Sequence, residues 1–153
     1  MTGFARILED LNEAEVRYVL IGGIALIRHG VVRATRDIDA VFDPDEENVD
    51  RIQALVTKWN ATRPDGSSIP RNGISPERSI HLSTPMGDLD LVTEVIAGFP
   101  FQQLLERAEV RKVDGVEAPI CSLADLVAMK RAVGRERDLA DLADLEAAHG
   151  ELP

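Results

Sequence analysis

Few structures can accommodate the hexapeptide DIDAVF at residues 37–42. Its period-two alternation and its apolar residues specify a strand. In a strand residues i and i+2 share a face, so Asp37 and Asp39 point one way while Ile38, Ala40 and Phe42 point the other. The apolar face belongs in a core. The acidic face then holds two carboxylates that repel each other, a cost offset by solvent, a cation or several hydrogen-bond donors. The residues leave two readings open: solvated aspartates at a strand end, or a site for a hard divalent cation such as Mg²⁺, which prefers oxygen ligands and sits on one or two carboxylates plus substrate phosphates.

The surrounding sequence favours the cation. GDLDLV, residues 87–92, supplies a second strand in which Asp90 lies between Leu89 and Leu91 and can reach the same metal cluster. Asp88 shares that face beside a turn and reads as a solvated or supporting group. Upstream, RYVLIG reads as a buried strand broken by Gly22 and Gly23, followed by a short helix, IALIRHG, closed by Gly30. A glycine pair by itself is usually a tight turn. Between a strand and a helix it also lets backbone approach a ligand, and amide groups there favour phosphate. A phosphate cradle and a metal site on adjoining elements point to chemistry on a nucleoside triphosphate.

The rest of the chain reads as alternating helices and short strands. Phe4, Ile7, Leu8 and Leu11 have the spacing of an amphipathic helix over residues 3–14. Val49, Ile52, Leu55, Val56 and Trp59 mark another over residues 46–58, after the turn signal Asp43-Pro44-Asp45. Residues 60–77 contain three prolines, two glycines and three serines and read as a long surface loop. SIHLSTPMGDLDLV forms two strands joined around Pro85-Met86-Gly87, and EVRKVDGVEAPI forms a hairpin turning at Asp114-Gly115. Ser122 with Asp125 resembles a capping box, placing Leu123, Leu126, Val127 and Lys130 on one helix face. Gly134 interrupts, and a last helix directs Leu139, Leu142 and Leu145 inward. The expected fold is α+β, a small mixed sheet flanked by helices with a helical C-terminus.

With 153 residues, 44% of them hydrophobic, the chain suits one domain over residues 1–153, with the helices of residues 122–148 packed on it. No apolar run approaches the roughly 18 residues of a membrane span, and the first residues lack a signal-peptide layout, so a cytoplasmic protein without membrane contact is expected. The single cysteine, Cys121, reads as a core thiol. A net charge of −10 argues against broad adhesion to nucleic acid or anionic lipid. That charge is uneven: residues 37–50 hold seven acidic residues and no basic one, while Arg28, Arg33 and Arg36 precede them and Arg63, Arg71 and Arg78 follow. Arg33 and Arg36 read either as solvated or as facing incoming anions. The three histidines, His29, His81 and His149, read as structural or exposed.

The ordered motifs resemble the nucleotidyltransferase superfamily related to DNA polymerase beta. Its pattern is a glycine pair or Gly-Ser, a spacer, apolar-Asp-apolar-Asp-apolar, and later a third acid between apolar residues; Gly22, Gly23, Asp37, Asp39 and Asp90 fit it. RATRDIDAVF, TPMGDLDLV and SLADLVAMKRAVGRERDLADLADL look like the AbiEii-type branch, and the resemblance runs from about Tyr18 to Leu145. It implies a minimal polymerase-beta-like fold in which Asp37 and Asp39 bind Mg²⁺ or Mn²⁺ carrying the triphosphate, and Asp90 completes the metal site and helps activate the attacking hydroxyl. Lys130 matches the lysine of the family's C-terminal motif and would meet the phosphates; its alternative is a lysine snorkelling at the core edge. Arg135 and Asp138 match the same motif or form a surface ion pair and cap. Thr35 bonds a phosphate or simply favours its strand. Gly23 stands where many members have serine, and several AbiEii-type toxins carry a larger helical C-terminal region.

The resemblance implies an enzyme that transfers a nucleotide from a nucleoside triphosphate. One acceptor is the 3′ end of tRNA, as in toxin–antitoxin systems, with a cognate antitoxin protein as partner. Another is a protein side chain or a small molecule such as an antibiotic. A rival of a different class is a module that binds nucleotide or a partner without catalysis.

Overall fold

The protein is described by a computed structural model covering residues 3–153. A six-stranded mixed sheet forms its centre, built from β1 (Tyr18–Ile21), β2 (Asp37–Phe42), β3 (Ile80–Thr84), β4 (Gly87–Val92), β5 (Glu109–Val113) and β6 (Val116–Ile120). Their spatial order is β3-β4-β2-β1-β6-β5. The central β4-β2 and β1-β6 pairs are parallel, and β1-β2, β3-β4 and β5-β6 are antiparallel. The helices are α1 (Gly3–Glu13), α2 (Gly22–Arg28), α3 (Glu46–Lys58), α4 (Glu94–Ala97), α5 (Phe101–Arg107), α6 (Leu123–Val133) and α7 (Glu136–His149).

Ile38, Ala40 and Phe42 of β2 and Leu89 and Leu91 of β4 are buried in one core with Ile7, Leu8 and Leu11 of α1 and Ile52 and Val56 of α3. The Trp59 indole donates to Asp10 Oδ2 at 2.7 Å and ties the end of α3 to α1. Glu46 and Glu47 in the first turn of α3 and Lys58 in its last complement the helix dipole. Asp114 and Gly115 both have positive φ, as the two-residue turn between β5 and β6 requires. The Ser122 hydroxyl accepts from the Asp125 amide at 3.1 Å to start α6, and Gly134 ends it in the left-handed conformation.

Several expectations are corrected. The glycine pair forms the first turn of α2 rather than a break before it, and the helix ends at Arg28. Residues 94–107 add α4 and α5, which carry no strong periodicity of their own. The long loop is pinned to the body: Thr62 exchanges backbone hydrogen bonds with Ser83 and covers part of the β3 edge, and buried Ile74 donates its amide to Gln53 Oε1 of α3 at 3.2 Å. On α7, Leu145 is buried and Leu142 packs against the core as expected, but Leu139 is 58% exposed, and Asp138 and Asp141 are buried as well. Cys121 lies in the core, where burial pushes its thiol up to about 12. No described helix is long and apolar enough to cross a membrane.

Candidate active site

The parallel pairing of β2 with β4 brings the acids together. Asp39 stands opposite Asp90 and Asp37 opposite Asp88, so four carboxylates share one face of the sheet. Their backs are the buried residues Ile38, Ala40, Leu89 and Leu91, which fix the register because a one-residue slip would bury the acids. Asp37, Asp39 and Asp90 line a pocket of about 680 Å³, together with Gly22, Gly23, Thr35, Lys130 and Arg135. Every residue singled out in the sequence as part of a site thus borders one space.

Gly22 is required by geometry twice over. Its φ is +64°, and a Cβ there would lie 2.1 Å from Asp39 Oδ2. Gly23 is constrained differently: a Cβ would lie 2.6 Å from Thr35 Oγ1. The threonine therefore fills the space that a serine at position 23 would need. Thr35 donates from its hydroxyl to the Asp37 carbonyl at 3.1 Å, which steadies the entry to β2.

The electrostatics of the acidic face are unbalanced. Burial pushes the Asp39 carboxyl up to about 7, reinforced by its hydrogen bond to Asp90 and the charges of Asp90 and Asp37, and opposed by the Gly23 amide that bonds to it. Three carboxylates on one face and bordering one pocket, one of them held back from ionising, offer an all-oxygen donor set whose chemistry fits a hard divalent cation.

The pocket's opposite wall is a web of ion pairs. Lys130 Nζ lies 2.8 Å from Asp141 Oδ2 and 3.2 Å from Asp138 Oδ1. Arg33 reaches Asp141 at 2.7 Å, and Arg135 reaches Asp138 at 2.7 Å. The Asp138 carboxylate also accepts from the Arg135 backbone amide at 3.1 Å and so caps α7. The Arg135 side chain holds Asp138 down to about 2; burial opposes this and Lys130 assists. Lys130 therefore sits at the pocket with its charge already matched by two acids. Arg36 and Arg137 line the same space, both exposed and without an ion pair among the described residues.

One residue expected to be merely structural or exposed stands in the site. His81 on β3 is opposite Asp90, and its Nδ1 contacts Asp90 Oδ1 while its Nε2 lies 3.3 Å from Asp88 Oδ2. Burial opposes a charge on the ring, yet Asp90 and Asp88 outweigh it and raise His81 above its ordinary value. His29 and His149 are structural: the His29 ring donates to the Cys121 carbonyl at 2.8 Å, and His149 bonds to the His29 carbonyl.

A mixed sheet that gathers acids on a parallel strand pair beside a glycine turn, closed by C-terminal helices, is a nucleotidyltransferase architecture. Residues 3–148 match the family described as nucleotidyltransferase of unknown function, DUF6036, and the chain belongs to that family. No curated relative matches its sequence. Among solved structures it is similar to the lincosamide antibiotic adenylyltransferase LnuA with lincomycin bound, at a TM-score of 0.61 and 17% identity, over 95% of this chain and 96% of that one. It is also similar to the antibiotic-resistance factor ANT(2″)-Ia, with a TM-score of 0.63, 12% identity and coverage of 97% and 83%. An antigenic nucleotidyltransferase-like protein from Paracoccidioides brasiliensis aligns with a TM-score of 0.57 at 17% identity, over 94% of this chain and 72% of the other. At these identities the likeness establishes the fold alone.

Proposed function

We propose that the protein transfers a nucleoside monophosphate from a nucleoside triphosphate to an acceptor hydroxyl, releasing pyrophosphate. The observation that carries the reading is the single acidic face of Asp37, Asp39 and Asp90 beside Gly22 and Gly23. Asp37, Asp39 and Asp90 would hold Mg²⁺ or Mn²⁺, which when bound neutralises the triphosphate and stabilises the entering and leaving oxygens. Asp90 accepts the proton of the attacking hydroxyl. Gly22 leaves room for phosphate to approach the backbone, and Thr35 keeps Asp37 in place. Lys130 and Arg135 serve the triphosphate from positions fixed by Asp138 and Asp141, and Arg36 and Arg137 attract it through their unpaired charges.

For the acceptor we favour the 3′ end of tRNA, with the protein acting as the toxin of a toxin–antitoxin pair held in check by a cognate antitoxin. The AbiEii-like motifs support this, as do the four arginines, Arg33, Arg36, Arg135 and Arg137, around the pocket of a protein whose net charge is −10. A second reading, transfer to a small molecule such as an antibiotic, draws on the adenylyltransferase LnuA and the resistance factor ANT(2″)-Ia among the structural neighbours.

The test is incubation of the purified protein with Mg²⁺, each α-labelled ribonucleoside triphosphate and total bacterial RNA, beside an Asp39→Asn control. Label in the tRNA band, absent in the control, is the expected result. Label on protein, or on an added antibiotic with RNA unlabelled, would replace the tRNA reading. Stabilisation by a nucleoside triphosphate with Mg²⁺ and no turnover on any acceptor would leave a silent binding module.

A further inference from the structure

We propose that Asp37, His81 and Asp88 form a mixed nitrogen–oxygen cation site at the outer edge of the acidic face, suited to a first-row transition-metal ion rather than Mg²⁺. The sheet register builds it: β2-β4 pairing sets Asp37 opposite Asp88, and β3-β4 pairing sets His81 opposite Asp90 and Ser83 opposite Asp88. One donor atom from each of Asp37, His81 and Asp88 lies within 4.8 Å of the others. That spacing is close to the width of one coordination sphere, about twice a metal–ligand distance of roughly 2.1 Å.

The groups behind the three ligands favour a metal. Carboxylates only accept, so Asp90 takes a hydrogen bond from His81 Nδ1 and, with no cation present, Asp88 takes one from Nε2; a metal ion at this position replaces the Nε2 proton. A carboxylate behind one ring nitrogen orients metal-binding histidines, and here the other nitrogen is turned toward the second ligand, Asp88. Ser83 does the same for Asp88: its hydroxyl donates to Oδ1 at 3.2 Å and leaves Oδ2 on the histidine side. The result is two potential ligand atoms, Nε2 and Oδ2, 3.3 Å apart, with the Asp37 carboxylate close by. A proton on Nε2 would match one of the two negative charges, whereas a divalent ion matches both. The imidazole nitrogen shifts preference from Mg²⁺ toward transition metals. The side chains of His81 and Asp88, 30% and 40% exposed, leave the position open to solution.

This site shares Asp37 with the proposed nucleotide centre, but it does not rest on transfer taking place. Its test uses the full chain with Mn²⁺ alone and no nucleotide. Pulsed electron paramagnetic resonance of bound Mn²⁺ should show nitrogen coupling from a coordinated imidazole, and the coupling should vanish in His81→Asn. Mn²⁺ affinity should fall by roughly tenfold or more in His81→Asn. Ser83→Ala keeps all three ligands and should weaken binding by a smaller factor, which guards against a fold defect in the first variant. Bound Mn²⁺ without nitrogen coupling in the natural protein, or the same nitrogen coupling retained in His81→Asn, would overturn the site. Nitrogen coupling in a protein that transfers no nucleotide to any acceptor would support the site while removing the transfer reading alone.

Discussion

Asp39 and Asp90 face each other across the parallel β2-β4 pair, and the neighbouring Asp90 charge raises the cost of ionising Asp39. Together with the burial that pushes Asp39 up to about 7, this makes the acidic face a local source of instability in the ligand-free protein. Asp39→Asn removes one of the repelling charges and keeps the side-chain shape. We expect the variant to be more stable without ligand by on the order of 2 kcal/mol at neutral pH. For a chain of this length that is a rise of a few degrees in Tm, at roughly 2–4 °C per kcal/mol. The same variant should lose both transfer and the thermal stabilisation that Mg²⁺ with a nucleoside triphosphate confers. Scanning calorimetry with and without ligand reads both effects, and a lower ligand-free Tm would contradict the electrostatic account.

Gly22 allows a cleaner separation of fold from site. Gly22→Ala places a methyl 2.1 Å from Asp39 Oδ2 at a φ of +64°, whereas Gly66, with a φ of +84°, has nothing within 4 Å. Both substitutions to alanine carry the left-handed backbone penalty of roughly 1–2 kcal/mol. Only the first displaces a carboxylate. Urea denaturation should show a loss in both variants, while nucleotide affinity in the presence of Mg²⁺ should drop at least several-fold in Gly22→Ala and stay unchanged in Gly66→Ala.

How much of this was legible beforehand differs by element. The two acidic strands were, because period-two alternation fixes which residues share a face, and the tight turn between Thr84 and Gly87 fixes what pairs with what. Counting back from that turn puts His81 opposite Asp90, so the sequence already held its position in the site; a lone histidine without a motif gave no reason to count. The inward face of α7 was legible only in part. Leu142 and Leu145 turn toward the core as their spacing predicts, but Leu139 is exposed, and Asp138 and Asp141 are buried alongside because Lys130 of α6, with Arg33 and Arg135, supplies partners for them. Hydrophobic patterning assigns aspartates to the surface and has no means of seeing a partner 8 or 11 residues away on another helix.

Lys130 is the test of that wall. Its side chain is 15% exposed, against carboxylates that are 1% and 12% exposed. Lys130→Met would leave Asp138 and Asp141 with only their arginines, an incomplete pairing that costs less than the roughly 3–5 kcal/mol of a fully uncompensated buried charge. Adding Asp138→Asn and Asp141→Asn to the Met variant removes the two acids that Lys130 no longer helps to balance and should recover part of that loss. Urea titration of the single and triple variants distinguishes this from a lysine that merely covers the core edge, for which the triple variant would be the weaker of the two.

The same network sets how the protein meets acid. The Asp138 carboxyl is held down to about 2, first by the Arg135 side chain, against burial and with help from Lys130. In the unfolded chain the group returns to its ordinary value of 3.8. Because the folded value is the lower one, folding favours the ionised form, and the stability this contributes is fully present above pH 4. It is lost as pH falls from about 4 through 2, where protonating the carboxylate removes its hold on Lys130 and Arg135. The contribution is on the order of 2 kcal/mol. Asp138→Asn lacks the titrating group, so its stability should be lower than that of the natural protein at pH 5 and the gap should narrow toward pH 2. Urea midpoints for both proteins at four pH values across that range measure the gap, and a constant difference would mean that Asp138 stabilises α7 by shape rather than by charge.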